Sequence, residues 1–188
     1  MRRLKRELLF LLMVVTLIGG SALAYYNTIS WNGKLENGVK SMGYYINSNC
    51  EYTVSIPKAI ENWTYPGWSN PINMYSVTKA NSNMDFIQVY EPTSNSNAYT
   101  MLFKKGGVLV KINDLMNGFS WRYGEIRLNE AKMGTRSSED NVATIIHEMG
   151  HVFGLRDIKN EYSIMHFNDQ KKVKKVTKDA NDAVVSKY

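Results

Sequence analysis

The sequence predicts one domain of mixed α and β structure, and three observations predict it. Several short segments are rich in β-branched and aromatic residues and are bounded by Gly, Asn, Ser or Pro, as strands are. One segment, 142–153, repeats apolar residues with a helical period. Beyond an N-terminal leader, 164 residues remain, enough for a single proper core.

Residues 1–24 read as an export signal. Arg2, Arg3, Lys5 and Arg6 form a basic start, Leu8 to Ile18 an apolar run, and Ala22-Leu23-Ala24 a small-x-small cleavage pattern. The run is short for a membrane span, so cleavage after Ala24 and secretion are expected; an uncleaved leader would leave a membrane anchor. Without the leader, 19 basic residues face 16 acidic ones, a net charge of +3. That excess is too mild to suggest a nucleic-acid partner. Cys50 is the only cysteine, which excludes an intramolecular disulfide, and it reads as a small, partly buried hydrophobe.

Residues 25–39 are polar and glycine-spotted and read as a loose arm; the domain proper is placed at 40–188. Met42 to Asn47 reads as the first strand. Glu51 to Trp63 follows a partly helical pattern, with Pro57 acceptable in a first turn. Trp63, Tyr65 and Trp68 read as a core and its rim in preference to an aromatic binding platform. Ile72 to Val77 and Phe86 to Tyr90 read as strands, and Pro92 to Ala98 as a surface loop. Tyr99 to Phe103 and Val108 to Ile112 are expected to be strands around a Lys104-Lys105-Gly106-Gly107 turn. Gly124 to Asn129 alternates polar and apolar residues, as a half-buried strand does. Lys171 to Lys175 reads as a solvated basic face. Thr177 is expected to cap a last helix, Asp179 to Lys187, with Ala180, Ala183 and Val184 turned inward.

The chemistry lies in His147-Glu148-Met149-Gly150-His151. Histidines four apart on a helix share one face and can grip one cation, with Glu148 beside it as a general base. Val142, Ile145, Ile146, Met149, Val152 and Phe153 form the opposite, apolar stripe that anchors the helix. Ser137, Ser138, Glu139 and Asp140 supply start signals, and Gly154 a stop. A turn at Gly154 brings Asp157 back as a third ligand, with Glu161 and His166 as poorer candidates. No glutamate follows Glu161, which excludes a site that borrows a distant downstream glutamate. Imidazole ligands suit Zn²⁺.

His147 to Asp157 resembles the long zinc signature of the metzincin metalloproteases, H-E-x-x-H-x-x-G-x-x-H, with Asp157 in place of the final histidine. Ser163-Ile164-Met165-His166 is similar to that family's methionine turn, with Met165 as its methionine. Phe167 stands where the astacin branch has a tyrosine, so the closer likeness is to matrixin-type catalytic domains. The residues around Cys50 do not resemble the matrixin switch motif.

The resemblance implies an α+β fold: a twisted mixed sheet backed by helices, an active-site helix with its Met-turn, and a small C-terminal part below the cleft. It implies that the strand before the active-site helix, 124–129, is the sheet edge that receives an extended protein or peptide substrate, and that 158–164 wall the specificity pocket. It implies a monomeric zinc endopeptidase, with His147, His151 and Asp157 as metal ligands and Glu148 as catalytic base. The alternative is a secreted zinc-binding module of the same fold that binds a partner and does not cleave; retention of Glu148 argues against it, because holding zinc needs no base at that position.

Overall fold

The computed structural model describes residues 29–188. The leader and residues 25–28 lie outside the described residues. The fold is α+β, with one five-stranded mixed sheet and helices packed against it. The strands are β1 (Met42–Ile46), β2 (Met74–Ser76), β3 (Met84–Val89), β4 (Ala98–Phe103) and β5 (Tyr123–Asn129). The helices are α1 (Ser55–Thr64), α2 (Ile112–Met116), α3 (Glu130–Met133), α4 (Ser138–Val152) and α5 (Lys178–Lys187).

The strand order is β2-β1-β3-β5-β4. Neighbours are parallel except β4, which runs antiparallel to β5. The expected alternation of β5 holds through Leu128 and breaks at Asn129: Gly124, Ile126 and Leu128 are buried and Glu125 and Arg127 half-buried, but Asn129, expected to face outward with them, is buried. The expected place of β5 at the sheet edge does not hold. Strand β5 is paired on both sides, with Met84 opposite Gly124 and Tyr99 opposite Arg127, so the edge strand on that side of the sheet is β4. Glu125 and Arg127 pair with each other at 2.5 Å, and neither lines the large cleft. Asn129 is fully buried; its amide donates to the carbonyls of Glu91 and Ser96, tying down the 90–97 loop.

Helix α1 begins at Ser55, four residues into the stretch expected to be partly helical, with Pro57 in its first turn as expected, where a missing N–H costs nothing. It buries Ile56, Ala59, Ile60 and Trp63 against α4. Trp63 is fully buried and donates its indole N–H to the Ile146 carbonyl at 2.9 Å, whereas Tyr65 and Trp68 are exposed. On α4 the whole apolar stripe is buried, and of the two serines expected to supply a capping hydroxyl it is Ser137 that does so: its Oγ accepts from Asp140 N at 3.1 Å. Cys50 is buried and free.

Three further expectations are corrected. Val108 to Ile112 is not a strand. Only an isolated bridge joins Leu109 to Phe103, and Ile112 already opens α2. Residues 29–39 are not a loose arm: Ile29, Leu35 and Val39 are buried, and Ser30 bridges Leu155. The polar residues between them face out, so a tethered segment has the composition of a free one. Thr177 occupies the N-cap position of α5 without capping it, because its hydroxyl accepts from Ile164 N at 3.1 Å. Ala180, Ala183 and Val184 are buried as expected.

Lys187 donates its ammonium to the Trp31 carbonyl at 2.6 Å, and burial, with Lys34 adding to it, pushes its pKa down to about 8. The unfolded lysine keeps its proton to about pH 10.4. Between pH 8 and that value the unfolded chain therefore binds more protons, and stability rises with pH; below pH 8 the cost of the buried charge is present in full. Lys171 is also lowered to about 8 by burial and titrates in the same window. Lys187→Met is expected to raise the Tm at pH 7 and to remove about half of the rise between pH 8 and pH 10. Thermal melts across that range check both effects.

Candidate metal centre

Helix α4 presents His147 and Glu148, and one turn later His151, toward a cleft of about 640 Å³. The helix ends as its glycine dictates. Gly154 has φ +91°, a left-handed conformation that closes the last turn, with Leu155 N bonded to the Gly150 carbonyl at 2.9 Å. The chain then doubles back, and Asp157 meets both histidines. His147 Nε2 lies 3.2 Å and His151 Nε2 3.7 Å from Asp157 Oδ1.

Those separations fit a shared cation. Two ligand atoms about 2.0–2.1 Å from one tetrahedral ion stand roughly 3.3 Å apart. The ring orientations fit as well. His147 Nδ1 is 2.9 Å from the Ile164 carbonyl and His151 Nδ1 is 3.0 Å from the Leu155 carbonyl. Each carbonyl can only accept, so each Nδ1 carries the proton and each Nε2 offers a lone pair to the same point. Burial, together with the neighbouring His147, pushes the His151 pKa down, which favours the neutral ligating form. Burial pushes the Asp157 carboxyl up, but a hydrogen bond from His147 and the charges of the histidines and Lys171 outweigh it and hold it down; the histidines act so only when protonated at Nε2, and with both neutral a cation takes that place. His147 is buried, His151 half-buried and Asp157 exposed, and the three together could hold a metal ion.

The poorer candidates do not join it. Glu161 pairs with Lys172 at 2.8 Å on the surface, and His166 is in no ligand cluster among the described residues. Met165 is fully buried in the tight turn 163–166. Its sulfur packs so closely on Gly150 that a Cβ there would collide with it. The same turn supplies the Ile164 carbonyl that orients His147.

Several contributors had no signal in the sequence. The Thr100 hydroxyl, on β4, donates to Glu148 Oε2 at 2.7 Å and lies 3.0 Å from the Glu148 carbonyl. Only the antiparallel return of β4 brings that threonine to the helix. Residues 158–164, expected to wall the pocket, do not line the cleft; Phe167 and Asp169 do, opposite Ala98 to Leu102 of β4. Lys171 is not part of a solvated basic face: it is 6 % exposed and donates to the His166 carbonyl. Lys174 pairs with Asp140.

No family model matches this chain, and no curated protein matches it in sequence.

Proposed function

We propose that the chain is a zinc-dependent endopeptidase of the metzincin type, secreted by way of residues 1–24. The observation that carries the proposal is the convergence of two correctly oriented imidazoles and a carboxylate, with Glu148 held beside them in one open cleft. Three protein ligands leave a fourth position open, the arrangement of catalytic rather than structural zinc.

His147, His151 and Asp157 would hold zinc, which would supply a Lewis acid for the scissile carbonyl and make the attacking water easier to deprotonate. Glu148 takes a proton from the attacking water and passes it to the departing amine. Thr100 fixes Oε2 of Glu148, so Oε1 is the oxygen that accepts the proton. The substrate lies extended along β4 as an added strand, held by main-chain hydrogen bonds over Ala98 to Met101. Beyond that stretch the edge is covered, because Val110 N already bonds to the Leu102 carbonyl.

The test is cleavage of casein or gelatin with chelator, with zinc added back, and with Glu148→Ala. Chelation should abolish cleavage and zinc restore it. Glu148→Ala should retain zinc and lose roughly 10²–10⁴-fold in kcat. Activity that survives both treatments rules the proposal out; stoichiometric zinc with no cleavage of any peptide favours the non-cleaving module. Thr100 is a positioning residue. Thr100→Val is expected to lower kcat about tenfold with little change in KM, and Thr100→Ser to restore it. An equal loss in both variants would leave the hydroxyl without a role.

A further inference from the structure

A second chamber of about 700 Å³ adjoins the metal cleft, and Asp169 lines both. Its walls carry Lys132, Arg136, Lys171 and Lys174 against Asp140 and Asp169. The Lys174–Asp140 pair cancels, leaving three cations against one carboxylate. Lys171 is buried, yet its ammonium donates only to a main-chain carbonyl, that of His166. Arg136 donates to the Asp169 carbonyl at 3.1 Å and lies 3.3 Å from the Thr144 hydroxyl. Among the described residues, neither cation is ion-paired. Lys171 lies in the field of Asp157, Glu148 and Asp169 but is in contact with none of them, so donors of both cations remain without a charged acceptor, and a ligand carboxylate is the group that would fill them.

The chamber is also in reach of the reacting centre. Thr144 precedes Glu148 by four residues on α4, a rise of about 6 Å. Lys171 interacts electrostatically with both Asp157 and Glu148. An extended peptide on β4 advances about 3.3 Å per residue and sends alternate side chains to one side. The geometry points to this chamber as a selectivity site for an acidic side chain, Asp or Glu, within two residues of the cleaved bond. The inference rests on the peptidase reading for the word cleaved, but the binding it describes does not need cleavage.

The experiment therefore measures binding and cleavage separately. Short fluorescent peptides, each with one glutamate walked along a neutral sequence, are compared with their glutamine counterparts by anisotropy. The full chain is used as wild type, Lys171→Met and Arg136→Gln, with folding of each variant checked by thermal melt. At one glutamate position the wild type should bind about tenfold tighter than to the glutamine peptide. That gap should shrink to less than about twofold in Lys171→Met and narrow in Arg136→Gln. Arg136 is only half-buried, so its variant keeps the question answerable if Lys171→Met fails to fold. No gap in the wild type, or an undiminished gap in the folded variants, overturns the inference. Selective binding without cleavage would support the chamber while removing the peptidase reading.

Discussion

Asp157→Ala will cost at least about 100-fold in zinc affinity, while Asp157→His will keep most of it. The expectation follows from the geometry at the end of α4. His147 and His151 are already oriented by the Ile164 and Leu155 carbonyls, and Asp157 Oδ1 is the only other ligand atom that meets them among the described residues. Without it, two imidazoles on one helix remain, a site open on half its faces. Zinc at about a thousandfold above its Kd should stabilise the wild type by roughly 4 kcal/mol. For a domain of this size that raises the Tm by roughly 10 °C. Asp157→Ala should lose about two-thirds or more of this rise at the same zinc concentration, and metal analysis after dialysis should find it depleted. An unchanged zinc-dependent rise in Asp157→Ala would remove Asp157 from the site, and with it the three-ligand argument. Asp157→His tests the charge. A neutral third ligand leaves one more positive charge on the centre than a carboxylate does, so the acidic limb of the activity profile should move to lower pH by about one unit.

The parts of this site that sequence alone exposes are those encoded within one or two helical turns. The histidine spacing, the Ser137 cap, the Gly154 stop and the apolar stripe each depend on neighbours in the chain, and each is found as expected. Asp157 is legible for the same reason, because one turn of known kind separates it from the helix. Long-range pairing is a different matter. Alternation in 124–129 reports that one face is buried but says nothing of how many edges are occupied. Strand β4, which precedes β5 in the chain, turns back antiparallel and takes the outer position. Thr100 and the true cleft wall were therefore invisible. The dilysine-rich segment after the turn failed differently. Its composition is that of a solvated face, and two of its lysines do pair at the surface with Glu161 and Asp140. Lys171 alone is drawn inward, toward the negative charge of Asp157 and Glu148, and no local pattern distinguishes it from its neighbours.

Trp63→Ala should give the largest loss of stability of any single substitution in the helical layer, roughly 3–5 kcal/mol. Trp63 is fully buried, meets Phe153 edge-on with ring centroids 4.9 Å apart, and donates to the Ile146 carbonyl. Truncation removes the apolar burial, an aromatic pair worth roughly 0.5–1.5 kcal/mol and a hydrogen bond worth about 1 kcal/mol, and leaves a cavity between α1 and α4. Trp63→Phe keeps most of the burial and should cost less than half as much in urea unfolding. The change should also reach the metal centre. A Cβ on Gly150 would sit 3.5 Å from Trp63 Cζ2 and against the sulfur of Met165, so the indole and the methionine meet on the same glycine. Removing the indole loosens Met165, the turn that carries it, and the Ile164 carbonyl that orients His147. Zinc affinity in Trp63→Ala should therefore fall by about tenfold at a temperature where the variant is still folded, although Trp63 supplies no ligand atom. If zinc affinity is unchanged while stability falls as expected, the apolar layer supports α4 without setting the direction of its histidines, and the turn at 163–166 orients His147 unaided.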